Sequence, residues 1–429
     1  MNILKGNVTR YDSGTVSYAQ IFDWNTGHSI AIVRPDDLGN WEYSHYTDLY
    51  FGITYIGQDC QPVTHGPYTE LGKWSPSMMF NTGYIEDIGA WYEPGDISTL
   101  YKDNKLLSKV NKDGDIVGAI ACKADTTGVV FAADDFTSTY HEWGGQLQEN
   151  GSLKVTGPQG GSYTFSSVIG DSYTIHVTLT SISFSARIGF VWNRATHTTT
   201  PGTYSYTFTA TSSSTTVVIA NASYTAWGGA SSYCIVKACS ILNNTRNQTL
   251  TQSTASLRPI YRDDGQNKPY IEFNTGQHLQ CANTTFMNRD NYIMAVGVRV
   301  IKEGYMNILS SSSATSGSGV SIVYDPYTLD VMGIGNGNYL KSDTHLPIKT
   351  SCVITSLRNS AGTVMYVNNI QQPDTTEVNN TGTINGIYIG NSTNTGLFNF
   401  YGAFICNNEN DINAINKHLA IISEATTAM

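Results

Sequence analysis

Five aromatic residues between positions 140 and 227 are the side chains of this sequence best suited to chemistry, and that chemistry is binding. Sugars stack on flat aromatic rings while a few polar groups fix their orientation. Trp143 and Trp227 are each followed by two glycines, which favours loops, and we expect these two to form an exposed glycan-binding platform. The alternative is that each tryptophan is a buried core residue. The predicted binding residues are Tyr140, Trp143, Trp192, Tyr224 and Trp227.

Carboxylates in catalytic spacing are missing from the sequence. Glycoside hydrolysis needs two carboxylates about 5–10 Å apart, and a sandwich strand would supply them as an alternating run. Glu272 and the pair Asp263-Asp264 are instead isolated, and Glu409 and Asp411 fall on a predicted helix. No Gly-x-Ser-x-Gly motif occurs between a strand and a helix. We therefore predict that the chain has no catalytic residues and is not an enzyme.

Metal and cofactor sites are also not predicted. The pairs Asp134-Asp135 and Asp263-Asp264 supply only part of the 6–8 oxygen ligands that calcium takes. There is no Cys-x-x-Cys pair for zinc and no glycine loop that would hold a phosphate. The seven cysteines are an odd number and are widely spaced, which indicates buried thiols rather than a disulfide framework. Cys122 and Cys239 flank a predicted inserted domain, and we expect them to be close in space but reduced.

The composition indicates strands. Only 14% of residues are charged, below the roughly 25% of ordinary soluble domains, and Gly (40) and Tyr (27) are abundant. Many Thr, Tyr and Val residues suit pleated sheets better than helices. The net charge of −10 without a basic stripe argues against a nucleic-acid partner. No run approaches the ~20 apolar residues of a membrane helix, so membrane insertion is not predicted.

Residues 1–70 alternate apolar and polar positions in short runs separated by turns, which predicts a small immunoglobulin-like β-sandwich. The run Ala19-Gln-Ile-Phe-Asp-Trp-Asn-Thr-Gly27 is followed by Asp37-Leu-Gly-Asn-Trp41. This order resembles the carboxypeptidase-regulatory-like modules at the N-terminus of phage fibre proteins. The resemblance implies a module that docks to the particle. Residues 71–83 show no alternation and are predicted to be a linker.

A second domain is predicted from two separated parts of the chain, residues 84–124 and 241–429. The run from Ala90 to Tyr101 (AWYEPGDISTLY) and the run from Leu250 to Pro259 (LTQSTASLRP) resemble the two halves of one opening motif in concanavalin-like, laminin-G-like domains of phage proteins. Such domains commonly end in a helix. Apolar residues recur at helical spacing near the C-terminus, which predicts a helix over residues 408–423.

Residues 125–240 separate those two halves and alternate strictly along several runs, such as Ser172-Tyr-Thr-Ile-His-Val-Thr-Leu179. The order of these runs resembles the jelly roll of carbohydrate-binding modules. The first and last strands of that fold lie side by side, as an insertion requires. The predicted fold class is therefore all-β: several β-sandwiches, namely an immunoglobulin-like module and a concanavalin-like sandwich with an inserted jelly roll, plus one C-terminal helix.

The combined resemblances imply a non-enzymatic structural protein on the surface of a bacteriophage virion, such as a tail fibre, a collar appendage or a capsid decoration. The N-terminal sequence shows no secretory signal, which fits assembly in the host cytoplasm. The expected partners are other virion proteins, a host-surface glycan and further copies of the chain, for example in a trimer. The alternatives are a dedicated receptor-binding adhesin and a glycan depolymerase.

Overall fold

The architecture was obtained from a computed structural model. It describes residues 2–8, 15–23, 29–36, 40–45, 51–58, 63–68, 89–124, 128–157, 160–190, 196–221, 231–263, 265, 268–282, 291–311, 320–325, 330–335, 338–341, 346–359, 362–373, 386–390, 395–406 and 412–425. Contacts divide the chain into two compact units, of which one holds residues 1–89 and 410–415 and the other holds 90–409 and 416–429. The predicted linker at 71–83 lies outside the described residues.

The N-terminal unit is built from antiparallel strands. Four strands form a sheet in the order β3-β2-β5-β6, and β1 pairs with β4. Ala19, Ile21, Trp41 and Ile53 form its buried core, and the first two alternate along one strand as a half-buried strand requires. The strands are β1 (Asn2–Asn7), β2 (Thr15–Asp23), β3 (Ser29–Val33), β4 (Asn40–His45), β5 (Phe51–Gln58) and β6 (Val63–Tyr68).

The larger unit contains two sandwiches. The enclosing sandwich is formed by β7–β9 together with β20–β33, and we call strands β10–β19 the insert. The first three strands of this unit are β7 (Ala90–Tyr92), β8 (Leu100–Tyr101) and β9 (Ala119–Ile120). The insert consists of β10 (Val129–Ala133), β11 (Gln146–Leu147), β12 (Leu153–Thr156), β13 (Gly161–Ser166), β14 (Ser172–Ile182), β15 (Ala186–Phe190), β16 (Thr196–Thr198), β17 (Gly202–Thr209), β18 (Ser214–Asn221) and β19 (Tyr233–Asn243).

The enclosing sandwich continues after the insert. Its later strands are β20 (Leu250–Thr251), β21 (Ile260–Arg262), β22 (Tyr270–Phe273), β23 (His278–Cys281), β24 (Tyr292–Lys302), β25 (Met306–Ser310), β26 (Val320–Asp325), β27 (Asp330–Gly335), β28 (Asn338–Lys341), β29 (Ser351–Asn359), β30 (Gly362–Val367), β31 (Ile370–Gln371), β32 (Ile387–Gly390) and β33 (Leu397–Cys406). Short 3₁₀ turns span Ile97–Thr99 and Ala255–Leu257.

Two large sheets of the enclosing sandwich share one core. One sheet has the order β28-β27-β26-β25-β32-β23-β20-β9-β8, and the other has β21-β22-β33-β24-β29-β30-β31 with β7 paired to β33. Leu279 and Ile389 from the first sheet and Val296 and Phe400 from the second are fully buried in the same cluster. Strands from both sides of the insert therefore complete the same two sheets.

The insert has two sheets and a core of its own. The six-stranded sheet runs β11-β12-β19-β14-β17 with β10 on β19, and the four-stranded sheet runs β13-β18-β15-β16. Val129 on the first strand pairs in register with Leu242 on the last one. The chain thus enters and leaves the insert side by side. The predicted limits at 125 and 240 remain predictions.

The described helices are α1 (Tyr140–Trp143) and α2 (Ile412–Ser423). Helix α2 is described from Ile412 to Ser423, within the predicted range of 408–423, and residues 408–411 lie outside the described part of the chain. The prediction of an all-β chain of several sandwiches with one C-terminal helix is confirmed. No helix in the described residues is long and apolar enough to cross a membrane.

Candidate functional site

The predicted aromatic platform is wrong for Trp143. This side chain is only 1% exposed, so no sugar can stack on it. Tyr140, in the same short helix, is 39% exposed and remains accessible. The other predicted binding residues lie outside the described residues, and they are Trp192, Tyr224 and Trp227.

Trp143 is buried because the insert needs large rings between its two sheets. Its ring centroid lies 5.6 Å from Phe131 and 5.4 Å from Tyr163. Helix α1 ends at Gly144 in the left-handed conformation (φ +67°), which favours glycine and turns the chain back toward the sheet. The glycine after Trp143 therefore ends a helix instead of marking an exposed loop. The alternative interpretation, a core tryptophan, is the correct one here.

A cleft lies instead at one end of the six-stranded sheet of the insert. It is open to solvent and has a volume of about 630 Å³, within the roughly 300–1,000 Å³ typical of small-molecule sites. Most of its side chains are amides, hydroxyls or a carboxylate, with two aliphatic residues among them. The cleft is lined by Leu147, Gln148, Glu149, Asn150, Ser152, Thr180 and Ile235.

The wall of the cleft is the tight hairpin between β11 and β12. The amide of Gly151 donates to the carbonyl of Gln148 (3.0 Å), and the amide of Gln148 donates to the carbonyl of Ser152 (2.8 Å). Gly151 has φ +73°, the left-handed position that a three-residue hairpin loop assigns to glycine. A Cβ at Gly151 would lie 2.6 Å from Oδ1 of Asp135. Asp135 thus packs directly against the hairpin at Gly151, in addition to the hydrogen bonds of the turn itself.

Two amide side chains in this hairpin have fixed orientations. Oδ1 of Asn150 accepts hydrogen bonds from the amide and the hydroxyl of Ser152, at 3.1 and 2.6 Å. Nε2 of Gln148 donates to the carbonyl of Gln146 at 3.2 Å. The atoms that these bonds do not use are the Nδ2 donor of Asn150 and the Oε1 acceptor of Gln148. These two atoms are the donor and the acceptor that Asn150 and Gln148, both lining residues of the cleft, leave unused in these bonds.

The other side of the cleft comes from β14 and β19. Ser181 pairs with Ile235 and Leu179 pairs with Val236, so the register skips Thr180. Such a bulge re-aims a side chain, and Thr180 is exposed while Ile235 is half-buried. Lys154 is the register partner of Ile235 on β12, but its Nζ lies 4.7 Å from the centroid of the Tyr233 ring. Among the described residues, Glu149 is therefore the one ionisable side chain that lines the cleft.

Farther along the same sheet face, the enclosing sandwich covers the insert. The hydroxyl of Ser240 donates to the carbonyl of Lys105 at 2.6 Å. His176 on β14 contacts the hydroxyl of Ser205, on the neighbouring edge strand β17, through Nδ1 at 2.6 Å. Burial, with a smaller effect from the charge of Lys105, lowers the pKa of His176 to about 4. The open part of this face is consequently the end that carries the cleft.

The acidic pairs considered for calcium are used within the protein. Oδ2 of Asp134 accepts a hydrogen bond from the amide of Lys109 at 2.8 Å. Hydrogen bonds from the hydroxyl and then the amide of Thr137 lower the pKa of Asp135. Asp263 accepts a hydrogen bond from the hydroxyl of Tyr261 at 3.3 Å, and Asp264 lies outside the described residues. No group of three His, Cys, Asp or Glu residues that could hold a metal occurs in the described ranges.

Glu272, one of the isolated carboxylates of the sequence, is ion-paired. Its two oxygens accept hydrogen bonds from Nε and Nη2 of Arg262 at 3.2 and 3.3 Å. The six cysteines in the described part of the chain are buried free thiols. Burial raises the pKa of Cys234 and Cys352 to about 12. Thiols with such pKa values are poor nucleophiles at neutral pH.

No protein-family model matches the chain, and no curated protein matches it. Trypanosoma rangeli sialidase is a similar solved structure, with 10% identity, a TM-score of 0.30, and coverage of 41% of this chain and 31% of the sialidase. The botulinum neurotoxin type G receptor binding domain is 13% identical with a TM-score of 0.30, over 40% of this chain and 48% of that domain.

A truncated AlyQ with CBM32 and alginate lyase domains is 10% identical, with a TM-score of 0.25, over 69% of this chain and 98% of that one. The chain spans less than half the length of the sialidase and of the toxin domain. Similarities with TM-scores of this size carry no argument about function.

Proposed function

We propose that this chain is a non-enzymatic structural protein of a bacteriophage virion surface, and that the cleft of the insert gives it weak, multivalent adhesion to host-surface glycans. The observation that carries the glycan part is the lining of the cleft. Amide, hydroxyl and carboxylate groups converge there around an aliphatic floor at Ile235. Such polar groups can donate to and accept from the hydroxyls of a sugar, and the two aliphatic residues add an apolar contact.

The virion part of the proposal rests on the sequence resemblances to phage surface modules at 19–27, 90–101 and 250–259. Its partners would be other virion proteins and further copies of the chain. One shallow, solvent-open cleft binds weakly, so many copies on one particle would supply the avidity. A dedicated receptor-binding adhesin would use the same cleft for a single tight ligand. A glycan depolymerase would need a close carboxylate pair, whereas Glu272 is committed to Arg262.

Glycan binding by the cleft can be tested with a substitution that fills the cleft with a large side chain. Thr180 is exposed, so we expect Thr180→Trp to occupy the cleft with its indole without disturbing the core. Binding of host-surface polysaccharides by the full chain should weaken at least tenfold, about 1.4 kcal/mol, in a surface plasmon resonance assay.

Thr164→Trp is the matched control, because Thr164 is an exposed threonine on the other sheet of the insert. It should bind like the unaltered chain. Equal binding by the Thr180→Trp variant would show that glycans bind elsewhere. Absence of binding by the unaltered chain to every host polysaccharide would refute the adhesive role.

A further inference from the structure

The polar atoms of the cleft define the kind of sugar that fits it. Nδ2 of Asn150 is a donor, because Oδ1 is occupied by Ser152. Oε1 of Gln148 is an acceptor, because Nε2 is occupied by the carbonyl of Gln146. A donor and an acceptor in the same hairpin complement a ligand amide, which offers one carbonyl oxygen and one N–H.

The apolar contacts of the cleft are aliphatic. Leu147 and Ile235 are both half-buried, and no aromatic ring is among the lining residues that the structure describes. The flat face of a pyranose is recognised by stacking on a ring, which branched aliphatic chains do not offer. A methyl group, by contrast, packs well against leucine and isoleucine and is worth burying.

The charge of the cleft adds a third constraint. Glu149 is the one ionisable residue in the described lining, and the Lys154 amino group is held over the Tyr233 ring. A carboxylate beside the ligand disfavours a second negative charge. Uronic acids and sialic acids are therefore poorer ligands than uncharged sugars.

We propose that the cleft binds an uncharged sugar through an acetamido group, whose carbonyl accepts from Asn150, whose N–H donates to Gln148 and whose methyl group packs on Ile235. The inference rests on the proposed glycan-binding function and names the sugar class for the same site. A hydroxyl in place of the acetamido group leaves these polar atoms without partners, which is the usual basis of strong discrimination.

The test titrates the full chain with the methyl glycosides of N-acetylglucosamine, N-acetylgalactosamine, glucose and galactose, and with N-acetylneuraminic acid, by saturation-transfer NMR and calorimetry. The acetamido hexoses should bind about tenfold more tightly than their parent hexoses, as two hydrogen bonds and a methyl contact in a solvent-open cleft allow. N-acetylneuraminic acid should bind more weakly than N-acetylglucosamine, and Glu149→Gln should reduce that difference.

Two substitutions of Ile235 distinguish a lost contact with the methyl group from a general loss of folding. Ile235→Ser should lower the affinity for N-acetylglucosamine several-fold and leave the affinity for glucose unchanged, whereas Ile235→Val should retain it. Equal affinity for hexoses and their acetamido derivatives, abolished by Thr180→Trp, would overturn this inference and leave the proposed function standing. Failure of all these sugars and of host polysaccharides to bind would overturn both.

Discussion

At the scale of single residues, the side-chain amides of Asn150 and Gln148 each use one polar atom within the β11–β12 hairpin and leave the other unused. Oδ1 of Asn150 closes the turn through Ser152, and its Nδ2 remains available for a ligand. Gln148 does the reverse, since its Nε2 is bound by the chain and its Oε1 remains available. The hydrogen bonds of the hairpin thus orient the side-chain amides of Asn150 and Gln148 without any ligand.

The buried ring of Trp143 should contribute strongly to the stability of the insert. Because it is buried against Phe131 and Tyr163, Trp143→Ala should lower the free energy of unfolding by about 3–5 kcal/mol, measured by urea denaturation. Tyr140→Ala is the control: Tyr140 is 39% exposed, and a surface change is expected to stay within about 0.5 kcal/mol. Unchanged stability of Trp143→Ala together with lost glycan binding would restore the platform interpretation.

The burial of Trp143 could not be predicted from its sequence context. Two glycines follow it, and such a context is common to exposed loops and to helix ends. Its ring partners lie on strands about 12 and 20 residues away along the chain (Phe131 and Tyr163), and local sequence does not specify such pairings. The hairpin that forms the wall of the cleft could be recognised more easily from the sequence. Asn150-Gly151 is a hairpin dipeptide, but β11 spans only two residues and shows no alternation.

At the scale of elements, helix α2 is fastened to the enclosing sandwich by charge and by close packing. Oε2 of Glu93 lies 3.3 Å from Nζ of Lys123 and 3.5 Å from Nε2 of His418 on the helix. Gly297 and Gly402 leave room for the helix, since a Cβ at Gly402 would lie 2.8 Å from Cδ1 of Ile422. From Asn416 onward the helix therefore belongs to the same compact unit as the sandwich.

Glu93 makes this attachment dependent on pH. Burial alone would raise the pKa of Glu93, but the hydrogen bond from His418 and the charge of Lys123 lower it below the ordinary value of 4.5. A lowered carboxylate pKa stabilises the fold above the unfolded-state pKa, and that stabilisation disappears as pH falls through the folded-state pKa. Glu93→Gln should thus cost about 1 kcal/mol near neutral pH and nothing well below pH 4.5.

Thermal unfolding of the two proteins across pH 3–7, with hydrogen exchange of the α2 amides as a local probe, measures this difference. The matched control is Glu424→Gln: Glu424 is 40% exposed and lies 3.6 Å from Arg299, so its effect should be small at every pH. A Glu93→Gln effect that is the same at pH 3 and pH 7 would contradict the ion-pair account.

The sequence predicted individual strands and the C-terminal helix better than it predicted how the strands pair with each other. Strict alternation indicated β14 and β17 because one face of each strand packs into the core of the insert. Helical spacing of apolar residues indicated α2. The bulge that exposes Thr180 was not predictable, because it arises from the pairing of β14 with β19, two strands more than 50 residues apart in the sequence.

At the scale of the whole molecule, the insert adds a second sandwich to the enclosing one without interrupting its sheets. Strands β9 and β20, which precede and follow the insert, pair with each other through Leu250 and Ile120. The resemblances in the sequence implied this arrangement of pieces, because it depends on the order of motifs and not on any one of them. The cleft lies away from this junction, on the open end of the insert, where a large ligand on a cell surface could reach it.

Display of a glycan-binding cleft on the outside of a virion is the role that we propose for this chain. The decisive measurement is a cryo-electron reconstruction of purified particles of a phage whose genome encodes the chain. We expect density for the chain on the surface of the particle, at the tail, the collar or the capsid, with Thr180 and Ile235 facing solvent. Absence of the chain from the particle, or burial of the cleft against a neighbouring virion protein, would contradict it.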